Sequence, residues 1–155
     1  MTVPTRFFQT GTTGMIAAML MLAGCGTEMR TMPDHHMQSV ADIFAGRDFA
    51  APPPTGWRQL NGSEINYRFA NEVYGVYSLD NDRELMVMRL ADNATARLEV
   101  ANTAENCVWS SSADRLNLQC DGITKYWRIY SNGPDIVGAD IEASMFAVMK
   151  KRPGA

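Results

Sequence analysis

Histidine is almost missing from this chain. Its 155 residues include two, His35 and His36, and they are adjacent. Everything downstream therefore lacks an imidazole general base, which excludes Ser–His and Cys–His nucleophilic arrangements there. Long apolar runs are missing as well. The most apolar segment, residues 15–23, rises only about 14 Å as a helix, roughly half of a bilayer core of about 30 Å. No extended basic run occurs: 14 Lys and Arg are interspersed with 17 Asp and Glu, for a formal charge of −3. That pattern offers neither a nucleic-acid footprint nor a polybasic lipid patch. Cysteine is scarce and odd in number, with Cys25, Cys107 and Cys120.

The amino terminus carries the clearest positive signal. Residues 1–14 hold one charged side chain, Arg6, and no acid; residues 15–23 are uncharged and apolar; Ala23 and Gly24 are small. A positive start, a short apolar core and small residues before a cut describe a secretory signal peptide. Leu22-Ala23-Gly24-Cys25 resembles the lipobox of bacterial lipoproteins. The resemblance covers residues 1–25 only. It implies that the Cys25 thiol becomes diacylglyceryl-modified, that a peptidase cuts before it, and that the new amino terminus is acylated. Acyl chains of the palmitate kind contribute about 0.8 kcal/mol per buried CH₂, and two or three of them anchor stably. The residue after the cysteine is Gly26 rather than Asp, which in that family favours the periplasmic face of the outer membrane.

Removal of residues 1–24 takes away Arg6 and leaves 131 residues with 13 basic and 17 acidic side chains, a formal charge of −4. That length suits one domain and a linker. With Cys25 lipidated, Cys107 and Cys120 remain as a pair suited to an oxidising compartment. A bridge between them closes a loop of about 14 residues, worth roughly 3 kcal/mol in the chain-entropy view.

The expected organisation is a signal peptide at 1–24, a lipidated flexible tether at 25–56 and an antiparallel β domain at 57–152. Three prolines, Pro52 to Pro54, favour an extended spacer. Within the tether, residues 39–46 are expected to form one or two helical turns, capped by Ser39 and stopped by Gly46. In the domain, alternation would put Ile65, Tyr67 and Phe69 on one side of a strand, but Asn61 and Glu64 have the spacing of a capping box, with Leu60 and Ile65 as a hydrophobic staple, so a short helix over 62–70 is the favoured expectation. Strands follow at 72–79, 84–90, 96–100, 123–130, 136–139 and 144–149, separated by turn residues about every ten positions. The fold class is mainly β with minor helix: a small antiparallel meander, barrel-like, behind a short N-terminal helix. The segment 107–120 reads as a hairpin in which Cys107 faces Cys120, Trp109 faces Leu118 and Ser111 faces Leu116. Its turn is Ala113-Asp114 or a four-residue loop over 112–115. Gly75 and Gly138 mark bulges or close backbone approach, and residues 150–153 read as a solvated tail.

Three groups carry the functional expectations. Tyr126, Arg128 and Tyr130 alternate along the polar face of their strand, an aromatic–cation–aromatic stripe suited to a protein or glycan partner. Met29, Met32, His35, His36 and Met37 place thioethers and imidazoles close together, which suits copper, especially Cu(I). Glu64, Glu72, Glu84 and Asp140 supply carboxylates, and Lys125 a base for a Ser–Lys pair, but no spacing singles them out. The expected role is therefore a non-enzymatic, lipid-anchored binding or accessory protein of the envelope. It has no resident cofactor beyond its lipid and no nucleic-acid partner. Copper handling and inhibition of an envelope hydrolase are the alternatives. The mature protein is expected to begin at Cys25 and carry added acyl mass in intact-protein mass spectrometry. An unmodified Cys25 refutes the anchor.

Overall fold

The computed structural model describes residues 35–153, with side chains from Ser39 onward. Two helices and nine strands alternate with tight turns: α1 (His35–Phe44), β1 (Arg58–Gln59), α2 (Gly62–Phe69), β2 (Glu72–Ser78), β3 (Glu84–Leu90), β4 (Thr95–Val100), β5 (Thr103–Ser112), β6 (Arg115–Cys120), β7 (Ile123–Asn132), β8 (Asp135–Asp140) and β9 (Met145–Lys151). Strands β2 to β9 form an antiparallel meander in which each pairs with the next, and β9 pairs back onto β2 with Val76 opposite Met149. The sheet thus closes into an eight-stranded barrel. Closure leaves no strand of β2–β9 with a lateral edge free along its whole length. The short β1 runs beside the far end of β7, beyond the point where β6 stops, and Leu60 N–H donates to Ile129 O at 2.8 Å.

Alternation decides what enters the barrel. Tyr74, Met88, Leu98, Trp109, Leu118, Trp127, Ile136 and Met149 are buried together with the α2 residues Ile65 and Phe69. Apolar and polar residues alternate cleanly on β6, so Leu116 and Leu118 are buried while Asn117 and Gln119 are not. Burial of each large apolar side chain is worth about 1.5–3 kcal/mol, and here one shared interior collects them. Gly138 shows how full it is. A Cβ at that position would stand 2.2 Å from Met149 Cε and 2.7 Å from Trp127 Cε3. At Gly75, a Cβ would meet the Tyr77 ring at 2.8 Å, so both glycines permit close approach.

Helix α2 plugs one end. Asn61 caps it, its side chain accepting from Glu64 N–H at 3.0 Å while Glu64 Oε2 accepts from Asn61 N–H at 3.0 Å. The capping box expected at these positions is present, and Leu60 and Ile65 are both buried beside it. The neighbouring turns are tied to this plug: Arg68 donates to Gly133 O at 3.1 Å, Asn71 Oδ1 accepts from Asp92 N–H at 3.0 Å, and Gly62 N–H donates to Ala113 O at 2.7 Å.

The Cys107–Cys120 disulfide is formed, and the hairpin register runs Cys107–Cys120, Trp109–Leu118, Ser111–Leu116. The turn has the two central residues Ala113 and Asp114, of which only Ala113 has a positive φ, +39°. A positive φ is uncommon for a residue that carries a Cβ. Bonds from Gly62 and from Gln59 Nε2, which reaches Asp114 O and Oδ2 at 3.3 and 3.2 Å, hold the turn in place.

The segment expected to be a flexible tether up to Gly56 is docked from Val40 onward. Helix α1 begins by His35 rather than at a Ser39 cap, and ends where Gly46 turns with φ +66°. Val40 and Phe44 lie buried with Trp57, Tyr130, Val137, Ala139 and Val148 on the outer wall of the barrel. Phe44 meets Trp57 edge-on at 4.9 Å, and Phe49 stacks on Phe146 at 4.4 Å. The apolar face of so short a helix needs a partner surface, and β7–β9 provide it. The expected solvated tail is also structured: Lys151 belongs to β9 and pairs with Glu72 at 2.6 Å, and Arg152 pairs with Glu84. No helix among the described residues is long and apolar enough to cross a membrane.

Replacing Gly138 with alanine is expected to lower the unfolding free energy by about 1–3 kcal/mol through overpacking against Met149 and Trp127. Urea denaturation measures this. An unchanged midpoint would mean that the lumen is loosely filled.

Candidate functional site

The stripe on β7 resolves into two environments. Tyr126 and Arg128 are half-buried on the outer wall, whereas Tyr130 is 4% exposed and sits beneath Phe44, ring centroids 5.9 Å apart. All three share one face by alternation, as expected, but α1 covers the last. Tyr130 is thus part of the seat of α1 rather than of an open surface.

What joins Tyr126 and Arg128 comes from neighbouring strands. The tight turn at Asp121-Gly122, with φ +45° and +81°, sets β6 against β7 so that Asn117 is opposite Tyr126 and Arg115 is opposite Arg128. Arg115 places its guanidinium 5.8 Å from the Tyr126 ring centroid, and its Nε lies 3.3 Å from Asp114 Oδ1. Asn117 Nδ2 donates to Ser110 Oγ at 3.2 Å and Ser112 Oγ at 3.0 Å, and Asn117 Oδ1 is buried without a partner. Arg128 Nη1 donates to Phe49 O at 2.9 Å, pinning the segment after α1 to the barrel, while its Nε is buried and unpartnered. This part of the wall therefore carries hydroxyl, carboxamide, phenol and guanidinium groups, with the Arg128 guanidinium engaged by Phe49 O. Arg115, Asn117 and the two serines are readable from sequence only once both flanking turns are counted as two-residue turns.

The four carboxylates named from sequence are each taken up elsewhere. Glu64 caps α2 and pairs with Arg58 at 2.5 Å, Glu72 pairs with Lys151, and Glu84 with Arg152. Asp140 is buried and accepts from Glu142 N–H at 3.1 Å and Ala143 N–H at 3.0 Å. The backbone bond at Asn61 and the Arg58 guanidinium hold Glu64 below the usual carboxylate range, and Arg89, then Arg97, do the same for Glu99. Burial, reinforced by Glu72, pushes the Tyr74 phenol up to about 12.

Open depressions lie elsewhere. One of about 510 Å³ is lined by Asn71, Glu72, Arg89, Arg97 and Asn106. Arg89 and Arg97 there share Glu99 Oε1 at 3.2 Å each. Another of about 230 Å³ lies between Phe44, Arg47, Phe49, Leu79 and Phe146. Glu105 lies within 4.8 Å of both cysteine sulfurs, but these are bonded to each other at 2.02 Å and present no thiolate to a metal. Cys25, Met29 and Met32 lie outside the described residues. His35, His36 and Met37 open α1, with side chains outside the description.

Truncating Arg128 to alanine removes the pin on Phe49. A hydrogen bond to a charged group is worth about 1.5–3 kcal/mol, so amide exchange in α1 is expected to speed up roughly tenfold or more while barrel amides keep their protection. Exchange mass spectrometry reads this, and equal protection of α1 in both proteins would deny Arg128 that role. Comparison with protein-family models, with curated proteins and with solved structures finds no match to this chain.

Proposed function

We propose that this chain is a lipid-anchored accessory protein of the bacterial envelope that works by binding, and that it binds on the outer wall of its barrel around Tyr126 and Arg115. The observation that carries this reading is the filled lumen. Eight-stranded barrels either pack their interior with side chains or hold one small ligand there. This one is occupied by Trp109, Trp127 and Met88, and Ile65 and Phe69 stopper one end. A guest is therefore met on the outside. There the β5–β7 wall presents the exposed Ser110, Ser112 and Gln119 and the half-buried Arg115 and Tyr126, while the carboxylates that might have served catalysis are engaged in caps and ion pairs. The anchor rests on Leu22-Ala23-Gly24-Cys25, and the Cys107–Cys120 bridge suits the same exported setting.

A photo-crosslinking residue at Gln119, exposed on β6 beside Asn117, tests the surface in intact cells. A control at Asn81 sits in the β2–β3 connection. Gln119 is expected to capture a discrete envelope component that Asn81 does not. Identical capture from both positions, or none from Gln119, removes this wall as the binding surface.

A further inference from the structure

Strand β5 outruns its neighbour β4. Their pairing ends at Thr95 opposite Val108, and one further bond, from Trp109 N–H to Ala94 O at 2.8 Å, closes that side. β5 then continues to Ser112, paired with β6 alone. The hairpin decides which backbone groups this leaves open. The Cα atoms of Cys107 and Cys120 lie 4.5 Å apart, the spacing of opposed residues that exchange no backbone bonds. By alternation, Cys107, Trp109 and Ser111 turn their N–H and C=O groups away from β6, and the bond from Trp109 to Ala94 agrees. Trp109 O and both backbone groups of Ser111 therefore face past the end of β4, and none is bonded to a described residue. A row of unpaired strand groups is a template for another strand.

The space beside this edge is open. A depression of about 680 Å³ lies between Ser111 and Ala113 on one side and Gly62, Ser63 and Asn66 of α2 on the other. Gly62 N–H donates to Ala113 O at 2.7 Å and fastens the helix to the hairpin turn. Ser63 and Asn66 are exposed, with side chains bonded to no described residue. Tyr67 follows on the same face of α2 and is 88% exposed. The acid in the groove, Glu64, is committed to the helix cap and to Arg58. The groove thus offers strand backbone on one wall, hydroxyl and carboxamide on the other, and no free charge.

We infer that this groove binds an extended peptide segment of a partner protein. The segment adds to β5 at Trp109 and Ser111 as a short strand, and Ser63 and Asn66 take up backbone groups on its far edge. An extended chain carries donors and acceptors along both edges, which matches a groove polar on both walls, and strand addition draws its affinity from those main-chain bonds. A second copy of this chain fits less well, because it would bring its own α2 into the same space. The site uses the edge of β5 rather than the outer face around Tyr126 and Arg115, and it does not rest on that reading.

The test is an amide NMR titration of the isotopically labelled mature chain with a blocked pentapeptide of alternating threonine and valine. A second arm uses the same peptide N-methylated at every residue, which keeps the side chains and loses the backbone donors. Three net backbone bonds correspond to a Kd of about 1 mM. The Ser111 and Ser63 amides are expected to shift, and exchange at Ser111 to slow about sixfold at about 5 mM peptide. The methylated peptide should leave both unchanged. Ser111→Pro removes a donor that faces no strand, a position where proline is tolerated, and should weaken binding about threefold or more. Should that variant fail to fold, Asn66→Ala on the exposed helix face carries the same expectation. Equal binding of the methylated peptide, shifts that spare Ser111, or no shift at about 5 mM peptide each overturn the inference. A Ser111 signal that moves with protein concentration alone makes a second copy the occupant and overturns the peptide.

Discussion

The pairing of β9 back onto β2 is the contact on which the rest of the molecule depends. Open, the meander would have two edges and two faces, and inward residues would need some other layer to cover them. Closed, it has a fixed lumen that side chains must fill. That requirement explains Gly138 packed against Met149 and Trp127, the aromatic and Met content of the interior, and a helix drawn over one end. It also commits the inside of the barrel to packing.

The outer wall is divided between two uses. Over β7–β9 it is apolar and serves as the seat of α1, where Phe44, Phe49, Trp57 and Phe146 interlock. Over β5–β7 it is polar and uncovered. Arg128 stands at the border, one nitrogen holding Phe49 O and another facing no acceptor. Trp57 Nε1 is likewise buried without a partner in the α1 seat. A buried unsatisfied donor costs about 1–3 kcal/mol, so this seat is held by ring packing rather than by complete polar pairing.

Local signals in the sequence carried a good part of this fold. The hairpin register from Cys107 to Cys120 was legible because parity, a pair of cysteines and a turn all had to agree, and the helix at Gly62 because a capping box and a staple occupy six consecutive residues. Tyr130 was not legible. Alternation places it correctly on the polar side of β7, but what covers it is Phe44, more than eighty positions earlier, and no local pattern connects them. The same distance hid the docking of residues 40–57, whose prolines do favour extended chain but extended along a wall. The proposed binding patch fell between these cases: Tyr126 and Arg128 are visible on one strand, whereas Arg115 and Asn117 join them only through the two-residue turns.

The seat of α1 also sets an order of assembly. The helix is near the start of the described chain, yet its binding surface is made from Tyr130, Val137, Ala139 and Val148 on the last three strands. The first described strand of the barrel likewise waits for the last. Such pairings have large sequence separation, which slows folding through the entropy of closing long loops. The early segment must therefore stay unplaced until the final hairpin exists, and losing that hairpin would unseat the helix and reopen the barrel in one event.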